Sequence, residues 1–273
     1  MDYKRKIDFA IKLIRSIPAD TDIEVAYSGG KDSDVILRLT QMAGIKYRAI
    51  YKNTTIDPKG TIAHARENGA EIVQPKISFF GLIQQKGYPN RYRRFCCEKL
   101  KEYKICDRAI LGVRKEESTK RSLLYKEPEM CRNFGKEKVR QYYPILEWSL
   151  EDVARFIEEE KIKCAPVYYD NVGVFHPERR LGCLACPLAS SKKRIEQFRE
   201  NPKILAAWIK RGGQYLDTHP LTKASERFKD VYDMMLFNLM DCSLVEYQER
   251  TDGRMFGFDH KAAIERLTGI KLD

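Results

Sequence analysis

Apolar residues along this chain fall into short β-type runs separated by stretches of helical spacing. Residues 1–16 alternate charge with Ile7, Phe9, Ile11, Leu13 and Ile14 and read as an amphipathic helix. Ile23-Glu24-Val25-Ala26-Tyr27 is a strand entering a Gly-Gly turn, and residues 34–42 carry Val35, Ile36, Leu39 and Met42 at helical spacing. Residues 46–51 read as a second strand, 58–68 as a helix closed by Gly69, and 71–73 as a third strand. A helix near 79–85 and a fourth apolar run over 108–113 follow. Strands alternating with helices predict a doubly wound α/β domain with a mostly parallel sheet over roughly residues 20–150. Its ligand is expected beyond the C-terminal ends of the strands.

The pattern then changes. Residues 116–141 are polar and read as a long irregular loop of the functional kind. Ser149-Leu150-Glu151-Asp152 reads as a capping box opening a helix with Val153, Phe156 and Ile157 on one face. From Ser190 the spacing is helical almost to the end, with breaks expected at Asn201-Pro202, Gly212-Gly213 and His219-Pro220. The expected organisation is an α/β domain over 1–189 and a helical C-terminal lobe over 190–273.

Composition adds three points. No apolar run approaches the roughly 20 residues of a membrane span, and the N-terminal helix lacks a signal peptide's apolar core, so a cytoplasmic protein with no membrane partner is expected. The net charge of +11 suits either a solvated surface or a polyanionic partner, nucleotide or nucleic acid. Arg91, Arg93 and Arg94, interleaved with Tyr88 and Tyr92, are its densest local expression. Eight cysteines are many for a reducing compartment, where stable disulfides are rare, and they point to metal or redox chemistry.

The turn after the first strand carries the most chemistry. In Ser28-Gly29-Gly30-Lys31-Asp32-Ser33 two glycines let backbone N–H groups approach phosphate oxygens, and the following helix adds its positive end. Lys31 can neutralise phosphate charge, and the hydroxyls of Ser28 and Ser33 can donate to it. Asp32 would repel phosphate unless it holds a cation or caps the helix, so Mg²⁺ is expected nearby. The spacing is neither Gly-x4-Gly-Lys-[Ser/Thr] nor Gly-x-Gly-x-x-Gly. A plain strand-to-helix turn would not require lysine, aspartate and two serines.

Cys183-x-x-Cys186, framed by Gly182 and Pro187, is a two-thiolate chelate suited to zinc, an iron–sulfur cluster or a redox pair. Cys96-Cys97 could complete a four-ligand set, with Cys131 a competing ligand. Cys106 and Cys242 read as buried fillers in apolar or helical surroundings. His64, His176, His219 and His260 show no paired spacing, and no catalytic role is expected of them.

Residues 28–33 resemble the PP-loop of the ATP-pyrophosphatase superfamily, and later motifs resemble its phosphoadenosine phosphosulfate (PAPS) reductase branch. These motifs are Asn53-Thr54-Thr55, Arg94-Phe95-Cys96-Cys97 with Leu100-Lys101, and Gly112-Val113-Arg114 with Glu117-Ser118 and Arg121. Tyr143-Pro144-Ile145-Leu146-Glu147-Trp148 and Arg180-Leu181-Gly182-Cys183-Leu184-Ala185-Cys186-Pro187 complete the set. The resemblance implies an adenine nucleotide alpha hydrolase-like fold that binds ATP or a related adenine nucleotide with Mg²⁺. The expected nucleotide-binding residues are Tyr27, Ser28, Gly29, Gly30, Lys31, Asp32, Ser33, Asn53, Gly112, Arg114, Glu117 and Arg121, with Lys31, Asp32 and Arg114 catalytic. It also implies a [4Fe–4S] cluster on the cysteines, with zinc as the alternative. The expected reaction is adenylation of an acceptor with pyrophosphate release, for sulfur transfer to a nucleic acid from a sulfur-donor protein. Sulfonucleotide reduction is the first alternative, and a non-catalytic nucleotide- and nucleic-acid-binding module the second. The reductases carry their nucleophile in a Glu-Cys-Gly-Leu-His tail, whereas this sequence closes on Leu267-Thr268-Gly269-Ile270-Lys271-Leu272-Asp273, and sulfonucleotide reduction is therefore not expected.

Overall fold

A computed structural model describes residues 2–134, 136–220, 222, 226–240, 242–252 and 257–272. Helix α1 (Tyr3–Arg15) is followed by β1 (Ile23–Ala26), α2 (Lys31–Ala43), β2 (Arg48–Lys52), α3 (Thr61–Glu67) and β3 (Glu71–Val73). Then come α4 (Phe79–Lys86), α5 (Phe95–Leu100), β4 (Arg108–Ile110), α6 (Thr119–Leu124), β5 (Glu129–Phe134), β6 (Glu137–Tyr142) and α7 (Leu150–Glu159). The C-terminal part is helical, with α8 (Ser191–Glu200), α9 (Pro202–Thr218) and further helices Val231–Leu239, Leu244–Asp252 and His260–Thr268.

The strands form one sheet in the order β3-β2-β1-β4-β6-β5. All neighbours are parallel except β5 and β6, which pair antiparallel. The chain steps outward from β1 to β2 and β3, then returns to place β4 on the other side of β1. That reversal makes the fold a doubly wound α/β sheet, and it opens a crevice beyond the C-terminal ends of β1 and β4. Val25 and Ile110 from these strands share a core with Ile36 and Leu39 of α2 and with Trp148, Val153 and Phe156. The capping box of α7 is formed, with Ser149 and Asp152 each accepting a backbone N–H of the other.

Two compact units divide the chain. The first comprises Met1–Asn53, Asp57–Pro75 and Leu100–Gly182 and holds the sheet. The second comprises Thr54–Ile56, Lys76–Lys99 and Cys183–Asp273, so α4 and most of α5 belong with the C-terminal helices. Inside it, α4 packs on α9, and the Trp208 ring meets Phe79, Tyr88 and Phe198 at centroid distances of 5.3, 5.2 and 5.8 Å.

Three local expectations are corrected. Residues 116–134 and 136–141 are not a plain loop, since they carry part of a 3-10 turn at Lys115–Glu117, helix α6 and the antiparallel strands β5 and β6. This pair ends the sheet and exposes one face of its strands, so it lacks the continuous apolar run of a buried parallel strand. The break at Gly212-Gly213 is absent, since α9 runs through both glycines. A Cβ on Gly212 would stand 2.2 Å from the Tyr88 hydroxyl, so this glycine serves close packing and not a turn. Cys242 lies half-buried in a bend after the helix Val231–Leu239, not within a helix. Among the described residues no helix is long and apolar enough to cross a membrane.

Candidate active site

The phosphate loop is built between the end of β1 and the start of α2. Tyr27 continues the ladder, its N–H donating to the Ile50 carbonyl at 3.0 Å. Gly29 then takes φ +74°, in the left-handed region that favours glycine. Gly30 is the N-cap of α2 and makes no side-chain cap bond to the helix's first amides. Ser33 closes the turn from within, its N–H and hydroxyl both donating to the Gly30 carbonyl, at 2.8 and 2.6 Å. The Ser28 hydroxyl lies 3.3 Å from that of Ser33.

Charge converges on Asp32. Lys31 Nζ lies 3.2 Å from Asp32 Oδ2, and Arg114 Nε lies 2.6 Å from Asp32 Oδ1. Arg114 is buried and also reaches Glu116 Oε2 at 2.9 Å, while that oxygen accepts the Leu150 N–H at 2.6 Å. The start of α7 therefore holds Glu116, which holds Arg114, which holds Asp32. Gly112 brings these elements together. A Cβ there would stand 2.7 Å from the Asp32 carbonyl oxygen, closer than real contacts allow. The segment leaving β4 thus crosses directly over the first turn of α2.

Glu117 and Arg121 form an ion pair one turn apart, and the Glu117 carbonyl accepts from Arg180 Nη2 at 3.1 Å. Burial pushes the Glu117 carboxyl above its ordinary value, against the opposing charge of Arg121. Asn53 stands at the end of β2 and donates from Nδ2 to Gln74 Oε1 at 2.8 Å. Ser28 to Ser33, Gly112 and Arg114 therefore share the crevice mouth, Glu117 and Arg121 lie in the turn and helix just after Arg114, and Asn53 follows the neighbouring strand.

Sequence reasoning missed four residues behind the loop. The Tyr168 hydroxyl accepts the Lys31 N–H at 3.2 Å, and its ring centroid is 5.4 Å from Lys31 Nζ. Asp34, buried on α2, accepts from the Tyr27 hydroxyl and lies 3.0 Å from His64 Nε2 on α3. The Cys164 thiol faces Asp34, and burial followed by that carboxylate pushes it upward. Burial pushes Asp34 itself upward, opposed by the bonds from His64 and Tyr27. An aspartate between Ser33 and Val35, on the apolar face of α2, was the available signal, because a buried carboxylate requires partners.

Cys96, Cys97, Cys183 and Cys186 all belong to the second unit, and Cys131 to the first. Cys96 and Cys97 open α5. A side-chain hydrogen bond with Cys97, then burial, pushes the Cys96 thiol well above its ordinary value, and Cys186 acts on it in the same direction. Between Cys183 and Cys186 the chain turns through Ala185 at φ +52°, with the Leu184 N–H on the Ile56 carbonyl at 2.9 Å. Cys183 Sγ lies 3.5 Å from the Thr54 hydroxyl. Cys131 is exposed on β5, the edge strand. Among the described residues, no three His, Cys, Asp or Glu side chains are already gathered as a metal site.

The family model for the phosphoadenosine phosphosulfate reductase domain matches residues 22–189, and the chain belongs to that family. It is 27% identical over 215 residues to an uncharacterized protein of Methanocaldococcus jannaschii, covering 73% of this chain and 43% of that one. It is 29% identical over 188 residues to an uncharacterized 37.8 kDa protein of Escherichia phage 186, covering 59% and 54%. The chain thus spans about half the length of the curated relatives it matches. Similar solved structures include Candida glabrata FMN adenylyltransferase, at 13% identity and TM-score 0.44, covering 61% of this chain and 59% of that one. PAPS reductase from Candida auris has 14% identity and TM-score 0.41, with 64% and 89% covered. The U34-tRNA thiolase NcsA from Methanococcus maripaludis, with its [4Fe–4S] cluster, has 14% identity and TM-score 0.42, with 91% and 89% covered.

Proposed function

We propose that this chain is an ATP-dependent enzyme that adenylates an acceptor and releases pyrophosphate, serving sulfur transfer to a nucleic acid. The observation that carries the reading is Asp32, held at the loop between Lys31 and Arg114. A carboxylate beside phosphates is repulsive unless cations offset it; Lys31 and Arg114 do so here, and the Mg²⁺ that ATP brings would join it to the phosphates. The loop amides and Lys31 would then stabilise charge on departing pyrophosphate, while Arg114 would neutralise the phosphate that stays with the acceptor.

Sulfonucleotide reduction needs an accessible thiolate to attack sulfur. The thiols of Cys106 and Cys164 are held away from that form. Burial, followed by Asp22, pushes Cys106 up to about 12. The donor set of Cys96, Cys97, Cys183 and Cys186 has the all-sulfur chemistry of an iron–sulfur or zinc site. These four residues would hold a [4Fe–4S] cluster, which would supply one-electron chemistry. Pyrophosphate release from ATP, measured with and without a nucleic-acid acceptor, tests the reading against sulfite release from PAPS with reduced thioredoxin. Loss of a pyrophosphate signal in Lys31→Ala is the expected result, and robust sulfite release would overturn it.

A further inference from the structure

Tyr92 is 96% exposed, on a turn whose neighbouring aromatics are buried. Tyr88 is 8% exposed and donates its hydroxyl to the Trp208 carbonyl at 2.9 Å, and Phe95 is 7% exposed at the start of α5. The backbone between these anchors is fixed. Asn90 Oδ1 accepts the N–H groups of Tyr92 and Arg93 at 2.9 and 2.8 Å, and the Asn90 N–H donates to the Arg93 carbonyl at 3.3 Å. The Pro89 carbonyl accepts from Asn238 Nδ2 at 3.1 Å. A turn built this way presents the ring to solvent instead of folding it onto the surface, although burying a tyrosine ring is normally favourable.

Basic residues flank the ring along the chain. Arg91 and Arg93 are exposed on either side of it, with Arg93 Nη2 3.4 Å from the Lys86 carbonyl. Lys86, Arg91, Arg93 and Arg94 stand in a stretch that contains no acidic residue from Lys86 to Cys97. An upright aromatic face flanked by guanidinium groups matches unpaired bases joined by phosphates. Stacked bases of a duplex have no free face to offer such a ring, so a single strand is the ligand that fits.

We propose that the turn of residues 90–93 is a contact for single-stranded nucleic acid, with a base stacked on Tyr92 and flanking phosphates held by Arg91 and Arg93. The inference rests on the reading of a nucleic acid as acceptor and names the residues that grip it. Cys96 and Cys97 follow on the same segment, so the strand would be held beside the cysteine pair.

Fluorescence anisotropy of the full chain with labelled oligouridylate, oligothymidylate and a blunt DNA duplex tests it. Both single strands should bind more tightly than the duplex. Tyr92→Ala should weaken single-strand binding about tenfold, whereas Tyr92→Phe, which keeps the ring, should stay within about twofold. Arg91→Ala and Arg93→Ala should each lower the slope of log affinity against log salt by about 0.7. Tyr92→Ala binding like the wild type, a preference for duplex, or no binding of any strand would overturn the proposal. The adenylation reading fails on a separate readout, pyrophosphate release, which plays no part in this measurement.

Discussion

Tyr27 and Asp34 stand on either side of the phosphate loop, and the Tyr27 hydroxyl donates to Asp34 Oδ1 beneath it. The six residues between them are therefore tied at entry and exit by one buried bond, and His64 on α3 braces the same carboxylate at 3.0 Å. Tyr27→Phe removes the donor without changing shape and leaves a buried carboxylate one partner short. We expect a loss of about 1–3 kcal/mol in denaturant unfolding. ATP affinity should fall as well, because the loop would lose a constraint on its shape. Unchanged unfolding with unchanged affinity would refute this role.

Lys31→Ala and Ser33→Ala should each weaken ATP binding while leaving the fold intact. Charge-assisted hydrogen bonds contribute about 1.5–3 kcal/mol, which corresponds to roughly a ten- to hundredfold rise in Kd for Lys31→Ala. Ser33 also donates to the Gly30 carbonyl, so its variant should show a smaller effect on binding and a slight drop in Tm. Isothermal titration with ATP and Mg²⁺ measures both, and wild-type affinity in both variants would remove the loop assignment.

Gly112→Ala tests the crossing of two backbones. The added methyl would meet the Asp32 carbonyl carbon and oxygen at 2.9 and 2.7 Å, atoms that cannot swing aside as a side-chain end could. Overpacking of this kind destabilises by about 1–3 kcal/mol. Because the displaced atoms belong to the loop, nucleotide affinity should fall with Tm. A variant with both properties of the wild type would show that the two segments separate freely.

The loop and the sheet were legible because their signals are local. Two glycines with Lys31, Asp32 and Ser33 between an apolar run and a helical spacing announce the strand-to-helix turn, and a candidate phosphate site on it, before any packing is known. The Asp34–His64 pair was not legible, since 30 residues separate its members and only the β1–β2 pairing brings α2 and α3 together. The β5–β6 pair was missed for a different reason. Its strands are charged, and Val139 and Gln141 are buried while Lys138 and Arg140 are exposed, too weak an alternation to announce a strand. Gly212 misled because a glycine that admits a neighbouring ring has the same letter as one that ends a helix.

Asp152 should make stability fall in acid. Burial works against its ionisation, yet the bonds from Lys6, at 2.6 Å, and from Ser149 outweigh it and hold the carboxyl below its ordinary value. A lowered folded-state pKa contributes stability that is present above the unfolded value, about 3.9, and is lost as pH falls through the folded one. Asp152→Asn should therefore have a lower Tm than the wild type at neutral pH, with the gap narrowing below about pH 4. A gap that stays constant down to the acid limit would show that Asp152 contributes no charge-dependent stability.

The cysteines provide a test with a colour. Cys96, Cys97, Cys183 and Cys186 lie in one compact unit, with Cys186 close enough to Cys96 to raise its thiol pKa. Cys131 is exposed on the edge strand β5 of the other unit, opposite Arg140 in the antiparallel register. Anaerobically purified protein should therefore be brown and hold about four irons per chain. Cys183→Ser and Cys186→Ser should each remove the iron, as should Cys96→Ser or Cys97→Ser if both adjacent thiolates bind. With Cys96, Cys97, Cys183 and Cys186 as the four ligands, Cys131→Ser should keep full iron content. Serine keeps the size of the side chain, so loss of iron with an unchanged Tm would report a lost ligand and not a misfolded chain. One tightly bound zinc in a colourless protein would overturn the cluster and leave the four thiolates as a zinc site. Iron lost in Cys131→Ser and retained in either Cys96→Ser or Cys97→Ser would assign the fourth position to Cys131.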